Sequence, residues 1–220
     1  MNYNHIEISD IYTNNSFLIN EAFVFLGSST PILFLTIIDS RQFFEIGKLD
    51  TFDIINFKRR LRANLQRADI KIAVGLIELC LRIDYRSGDQ EPNSAWWPHI
   101  HIIVQTKHSG DHIRGALAKY YPRDRDRNRI PILIKPIYDI KRLSSYISKD
   151  SIQTGRIIKN YDRDSFRPKH GRLPAAQILE LSQFLNKITQ IPCGKGSLIY
   201  ALGVRRSGDN WHFCPKSPKK

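Results

Sequence analysis

The sequence predicts an α+β fold, a central antiparallel β-sheet with flanking helices and a C-terminal helical extension, and three observations predict it. Two long apolar, β-branched runs, residues 71–85 and 96–106, flank a loop rich in Gly, Pro, Asn and Ser and read as one long hairpin. Residues 51–68 and 174–188 carry apolar side chains at spacings of three and four and read as amphipathic helices. A hairpin-connected sheet needs no parallel crossovers, so the helices pack against an antiparallel sheet.

The elements follow in order. PILFLTIID (31–39) is a short β-branched and aromatic run behind a proline and predicts a buried strand. TFDIINFKRRLRANLQRA places Ile54, Phe57, Leu61, Leu65 and Ala68 on one helical face and Lys58, Arg59, Arg60, Arg62 and Arg67 on the rest. The hairpin strands KIAVGLIELCLRIDY and WWPHIHIIVQT come next, then a short helix in DHIRGALAKYY and a solvated turn in RDRDRNR (123–129). IPILIKPIY (130–138) is strand-like, and Pro131 and Pro136 push it toward a sheet edge. DIKRLSSYISKD (139–150) predicts a helix with Asp139 as N-cap and Ile140, Leu143 and Ile147 on its apolar side. The polar, basic stretch 151–173 is taken as a boundary. Residues 1–150 are thus expected as one domain, and 151–220 as a basic linker, an amphipathic helix aligned on Ile178, Leu181, Leu185 and Ile188, and a basic tail.

Composition narrows the partners. The 34 Lys+Arg against 21 Asp+Glu give a net charge of +13, which favours a polyanion, with nucleic acid ahead of an anionic membrane surface. No stretch approaches the roughly 20 apolar residues that span a bilayer, and the start MNYNHIEISD lacks the pattern of a secretory signal. A cytoplasmic protein without a membrane partner is expected. Cys80, Cys193 and Cys214 are too few and too scattered for a zinc knuckle or a disulfide framework.

Chemistry concentrates in two places. In a strand, residues two apart share a face, so His99 and His101 point the same way while Ile100, Ile102 and Val104 point the other. Two neutral imidazoles on one face hold a divalent cation when a carboxylate joins them. An isolated His-x-His is more often a pair of unremarkable polar residues, so the third ligand matters. Glu78 on the preceding hairpin strand ranks first, then Asp84, then Glu91 in the loop; the alternative for Glu78 is a cross-strand salt bridge. The second place is SSYISKD, where Tyr146 and Lys149 stand three apart on one helix face. Such pairs are common at the rim of a core. A phenol with an ordinary pKa of about 10 attacks phosphorus only where cationic surroundings favour the phenolate.

Taken in order, LFLTIID with Leu35 and Thr36, then Glu78, then WWPHIHIIV, then YISKD give a layout that resembles the HUH endonuclease superfamily, specifically the single-tyrosine rolling-circle replication initiators (Rep proteins) of small plasmids and phages. The resemblance covers approximately residues 31–150. It implies a ferredoxin-like or RRM-like palm, Mg²⁺ or Mn²⁺ held by His99, His101 and Glu78, and attack by Tyr146 assisted by Lys149. The products it implies are a 5′-phosphotyrosine link and a free 3′-OH. The tyrosine lies downstream of the histidines, as in Rep proteins and related transposases and unlike conjugative relaxases. PCGKGS lacks a complete phosphate-binding Walker loop, so unwinding falls to a separate host helicase and extension to a host polymerase.

The resemblance also implies a single-stranded or hairpin DNA partner at an origin in a bacterial or archaeal cell. Trp96 or Trp97 is expected to stack on an unpaired base, and Arg59, Arg60, Arg156, Lys159, Arg163 and Arg167 are candidate phosphate contacts. The alternatives are core packing for the tryptophans and plain solvation for the charges. A metallohydrolase or non-haem iron enzyme would also use two His and one carboxylate, but leaves Tyr146, Lys149 and the charge without a role. A single-strand transposase of the same superfamily and a non-catalytic basic DNA-binding protein remain the alternatives.

Overall fold

In the computed structural model, residues 8–27, 31–85, 93–123, 130–139, 142–143, 153–159, 166–192, 195–208 and 210–214 are described. The chain is α+β, with a mostly antiparallel central sheet and four helices among those residues. The elements are α1 (Ile8–Gly27), β1 (Ile32–Ile38), β2 (Phe44–Glu45), a short 3₁₀ turn (Leu49–Thr51), α2 (Ile54–Arg67), β3 (Ile72–Tyr85), β4 (Asn93–Gln105), α3 (Gly110–Ala118), β5 (Ile132–Pro136), β6 (Gln153–Lys159), β7 (Phe166–Arg172), α4 (Ala175–Thr189), β8 (Ile199–Leu202), β9 (Val204–Ser207) and β10 (Asn210–Phe213).

The expected hairpin is the centre of the sheet. β3 and β4 pair antiparallel from Ile72↔Gln105 to Asp84↔Asn93. The order across the sheet is β5-β1-β4-β3-β6-β7, with β2 on β4 and β8 on β3, and β9 and β10 form a separate two-stranded ribbon. β5 does take the edge, where its two prolines cost no ladder partner on the open side. The free side of β3 is shared: β8 pairs with Ala73–Leu76, antiparallel, and β6 with Leu81–Tyr85, the one parallel pairing.

The core sets the register. Ile100, Ile102 and Val104 are fully buried, as are Ala73 and Ile77 opposite them on β3. A slip of one residue would expose these side chains and bury imidazoles instead, and each large aliphatic side chain lost from the core costs about 1.5–3 kcal/mol. The histidines point where they do because their neighbours must point away. Gly75 helps, since a Cβ there would stand 2.4 Å from the His101 carbonyl oxygen, so only glycine lets the strands approach this closely.

Helix α2 matches its prediction. Asp53 caps it by accepting from the Asn56 backbone N–H at 2.9 Å, and Ile54, Phe57, Leu61, Leu65 and Ala68 are buried. It ends at Asp69, which adopts the left-handed conformation at φ 54°. Phe52 ties the core together, with ring centroids 5.5 Å from Phe57 and 5.8 Å from Phe184 of α4. On α4 the buried stripe is Leu181, Phe184, Leu185 and Ile188, whereas Ile178, expected on that stripe, is 42% exposed. The stripe starts one turn later than read because Phe184 is the side chain that meets Phe52.

Three regions differ from expectation. Residues 8–27 form α1, to which sequence analysis assigned nothing; Ile19, Ala22, Phe23 and Leu26 are fully buried at helical spacing, and the helix packs against β3, β4 and β10. The stretch 151–173, expected as a linker, supplies β6 and β7 to the sheet. The segment after residue 150 is not an appendage. α4 lies in the same core, Tyr200 and Leu202 of β8 are buried in it, and β8 is hydrogen-bonded to β3. Its strands are short and basic, and their partners are remote in sequence, so no local pattern announced them. No helix among the described residues is long and apolar enough to cross a membrane.

Candidate metal centre

Glu78 stands directly opposite His99 in the β3–β4 ladder, and Thr36 of β1 stands opposite His101. Both strands flank β4, so the three-strand register brings a carboxylate from one side and a hydroxyl from the other to the imidazole pair. Glu78 Oε2 lies 2.9 Å from His101 Nε2 and 3.2 Å from His99 Nε2, and the two Nε2 atoms are 3.2 Å apart. Glu78, His99 and His101 are the one such cluster able to hold a metal ion among the described residues. Glu78 is therefore the third member, as ranked first; Glu91 lies outside the described residues, and of Asp84 only the backbone is described.

The far side of each ring is fixed. His99 Nδ1 is 3.1 Å from the Trp97 carbonyl oxygen, which can only accept, so Nδ1 carries the proton and the neutral ring presents a lone pair at Nε2. His101 Nδ1 is 3.0 Å from Thr36 Oγ1, and its ring stacks on Phe34 at 5.7 Å. A proton on that Nδ1 again leaves Nε2 free to ligate. A ring nitrogen anchored by an outer partner is how proteins aim imidazole at a metal.

Three acceptors facing one another repel unless something positive lies between them. In the metal-free chain a proton does this. Burial disfavours charge on Glu78, but the charge on His99 and hydrogen bonds from His101 and His99 outweigh it and hold the carboxyl well below its usual range. Burial likewise lowers His99, yet Glu78's charge and hydrogen bond, with the Trp97 carbonyl, push it above its ordinary value against the opposing charge of Arg82. The imidazoles are 14% and 8% exposed and Glu78 is 43% exposed, so the cluster opens to solvent beside the carboxylate.

The remaining expected site residues divide. Tyr146, Lys149 and Arg163 lie outside the described residues. The start of the helix expected to carry Tyr146 and Lys149 is described: Asp139 accepts from the Arg142 N–H at 2.9 Å, the predicted cap. Arg156, Lys159 and Arg167 have a described backbone only, on β6 and β7, with Arg156 in register with Ile83 of β3.

Two expectations are corrected. Trp96 is fully buried on the face away from the histidines, where its indole N–H donates to Glu180 Oε2 at 2.8 Å; it is not a base-stacking platform. Trp97 does lie on the histidine face but is 6% exposed, packed by Phe43 at 4.1 Å and by the Arg82 guanidinium at 3.8 Å, so its ring has no room for a base. Arg60 is also partly spent. It lies 3.8 Å from Asp39, a carboxylate 2% exposed that Arg41 engages through two nitrogens. Arg59 is exposed and donates to Asn56. Both arginines ride on α2, which packs through Phe52 and Phe184 with the helix that meets Trp96, so they belong to the face opposite the cluster.

Thr36 and Arg82 were not assigned roles from sequence. For Thr36 the signal was its same-face alternation in LFLTIID; for Arg82 it was the shared parity with Glu78. No protein-family model, no curated protein and no solved structure matches the chain.

Proposed function

We propose that the chain is a metal-dependent, site-specific single-stranded DNA endonuclease and strand transferase that initiates rolling-circle replication, with Tyr146 as the nucleophile. The observation that carries this reading is the convergence of Glu78 Oε2, His99 Nε2 and His101 Nε2 within 3.2 Å of one another in a chain of net charge +13.

The donor set fits Mg²⁺ or Mn²⁺. Adjacent ligands of an octahedral ion at about 2.1 Å stand about 3.0 Å apart, close to the triangle observed, and three ligands on one side leave the opposite positions for substrate oxygens. When bound, such an ion would supply Lewis-acid polarisation of a phosphodiester. The chain's own residues do the rest. The phenolate oxygen of Tyr146 forms a bond to phosphorus as the bond to the 3′-oxygen breaks, giving a 5′-phosphotyrosine and a free 3′-OH; the reverse reaction rejoins strands without an external energy source. Lys149 offsets the charge that favours the phenolate and that builds on the phosphate. Arg156, Lys159, Arg163 and Arg167 follow the strand backbone.

The test is a covalent one. The protein is incubated with Mn²⁺ and a labelled single-stranded oligonucleotide library and resolved on a denaturing gel. A shifted, nuclease-resistant adduct is expected, lost in Tyr146→Phe while DNA binding persists. An undiminished adduct in Tyr146→Phe removes the nucleophile. No adduct with any strand, together with tight binding, favours a non-catalytic DNA-binding protein, and joining of two strands without replication activity favours a transposase.

A further inference from the structure

Next to the metal cluster sits a cation that nothing in the cluster requires. Arg82 shares the histidine face of β3 with Glu78, and its guanidinium lies 3.8 Å from the Trp97 ring centroid. Trp97 is in turn wedged by Phe43 and nearly closed to solvent, so the indole is a rigid shelf. Arg82 itself remains half-exposed. Its positive charge reaches the His99 imidazole. A site built only to retain a dication gains nothing from a like charge held in place beside it. The arrangement makes sense when a third, anionic body lies against both.

Spacing identifies that body. Trp97 and His99 are two residues apart on β4, a separation of about 6.6 Å along a strand. This is comparable to the step between successive phosphates of an extended single strand. The flat, always-charged guanidinium, stacked on an indole, presents its nitrogens edge-on, a geometry suited to phosphate oxygens and unlike the point charge of lysine. β6, which carries Arg156 and Lys159, pairs with the same end of β3 as Arg82, so positive residues continue along this edge of the sheet.

We propose that Arg82, held flat on Trp97, is a positioning residue that binds the phosphate next to the one lying at Glu78, His99 and His101, and so sets which phosphodiester reaches the cluster. This rests on the single-stranded DNA reading above, and the experiment separates the two. Full-length wild type, Arg82→Gln and Arg82→Lys are titrated with fluorescently labelled oligothymidylate across a salt series, with Mn²⁺ affinity measured in parallel by calorimetry and folding checked by thermal melting.

Arg82→Gln should weaken oligothymidylate binding about tenfold and lower the slope of log affinity against log salt by about 0.7, the value for one lost phosphate contact on a single strand. Its Mn²⁺ affinity should stay the same or rise, since a like charge has gone. Arg82→Lys should keep the salt slope yet recover only part of the affinity, and it should blur the adduct position on a defined strand. A wild type that binds Mn²⁺ but no oligothymidylate overturns the nuclease reading, and this assignment with it. Oligothymidylate binding by Arg82→Gln with wild-type affinity and slope overturns Arg82 alone. Equal loss of Mn²⁺ and DNA binding in a folded Arg82→Gln would also overturn it, making Arg82 a scaffold for the metal ligands.

Discussion

Two carboxylates meet strand β4 from opposite faces, and their surroundings differ in kind. On the core face, Glu180 accepts from the Trp96 indole N–H at 2.8 Å and from the Leu49 backbone N–H at 2.9 Å. Both partners can only donate, so the carboxylate is satisfied with nothing further present. On the other face, Glu78 meets two imidazole nitrogens whose protons are claimed on their far sides by the Trp97 carbonyl and Thr36. A carboxylate among donors is a structural strut. A carboxylate among acceptors needs a cation, and that difference separates a functional site from a core contact without reference to any relative.

The sharpest way to break the comparison is to remove each carboxylate. Glu78→Ala should reduce Mn²⁺ affinity, measured by calorimetry, by more than about 100-fold, beyond what loss of an outer-sphere partner costs. Retained Mn²⁺ affinity would dissolve the distinction. Thr36→Val keeps the shape of the side chain and removes only the oxygen that orients His101, so Mn²⁺ affinity should fall about tenfold with the fold intact. Glu180→Gln should leave Mn²⁺ affinity unchanged and cost about 1–3 kcal/mol in chemical denaturation, because a charged acceptor for two donors becomes a neutral amide.

The smallest effect is the most diagnostic of what lies between the ligands. In the metal-free chain, Glu78's contribution to stability is present above its unfolded value of 4.5 and is lost as pH falls through its depressed folded value. That of His99, raised on folding, is fully present below 6.5 and is lost as pH rises through its folded value. The cluster thus stabilises the metal-free fold most between those limits. Mn²⁺ competes with the proton, so the rise in melting temperature it produces should grow as pH increases through the His99 value. A metal-induced shift indifferent to pH would mean that the ion binds elsewhere.

Much of this was legible in sequence. The alternation in WWPHIHIIV placed both imidazoles on one side, and Glu78 shared the parity needed to face them. Strand parity is a local property and survives translation into three dimensions. The two tryptophans show its limit: parity separates Trp96 from Trp97 but does not say that both sides are closed, one by Glu180 and one by Phe43 and Arg82. The α1 stripe Ile19, Ala22, Phe23 and Leu26 had a readable spacing that went unread, whereas β6 and β7 had no readable signal.

Sequence alone determined the α+β class, the central hairpin, the helix faces on Ile54, Phe57, Leu61 and Leu65, and the side of the strand on which His99 and His101 lie. These follow from periodicity and capping, which act within a few residues of the chain. Tertiary structure decided that Thr36 and Glu78 flank His101 from two different strands, that Arg82 rests on Trp97, and that residues beyond 150 belong to the same sheet. Each depends on a pairing register between segments remote in sequence, and that register is chosen by burial of the whole core rather than by any segment's own pattern.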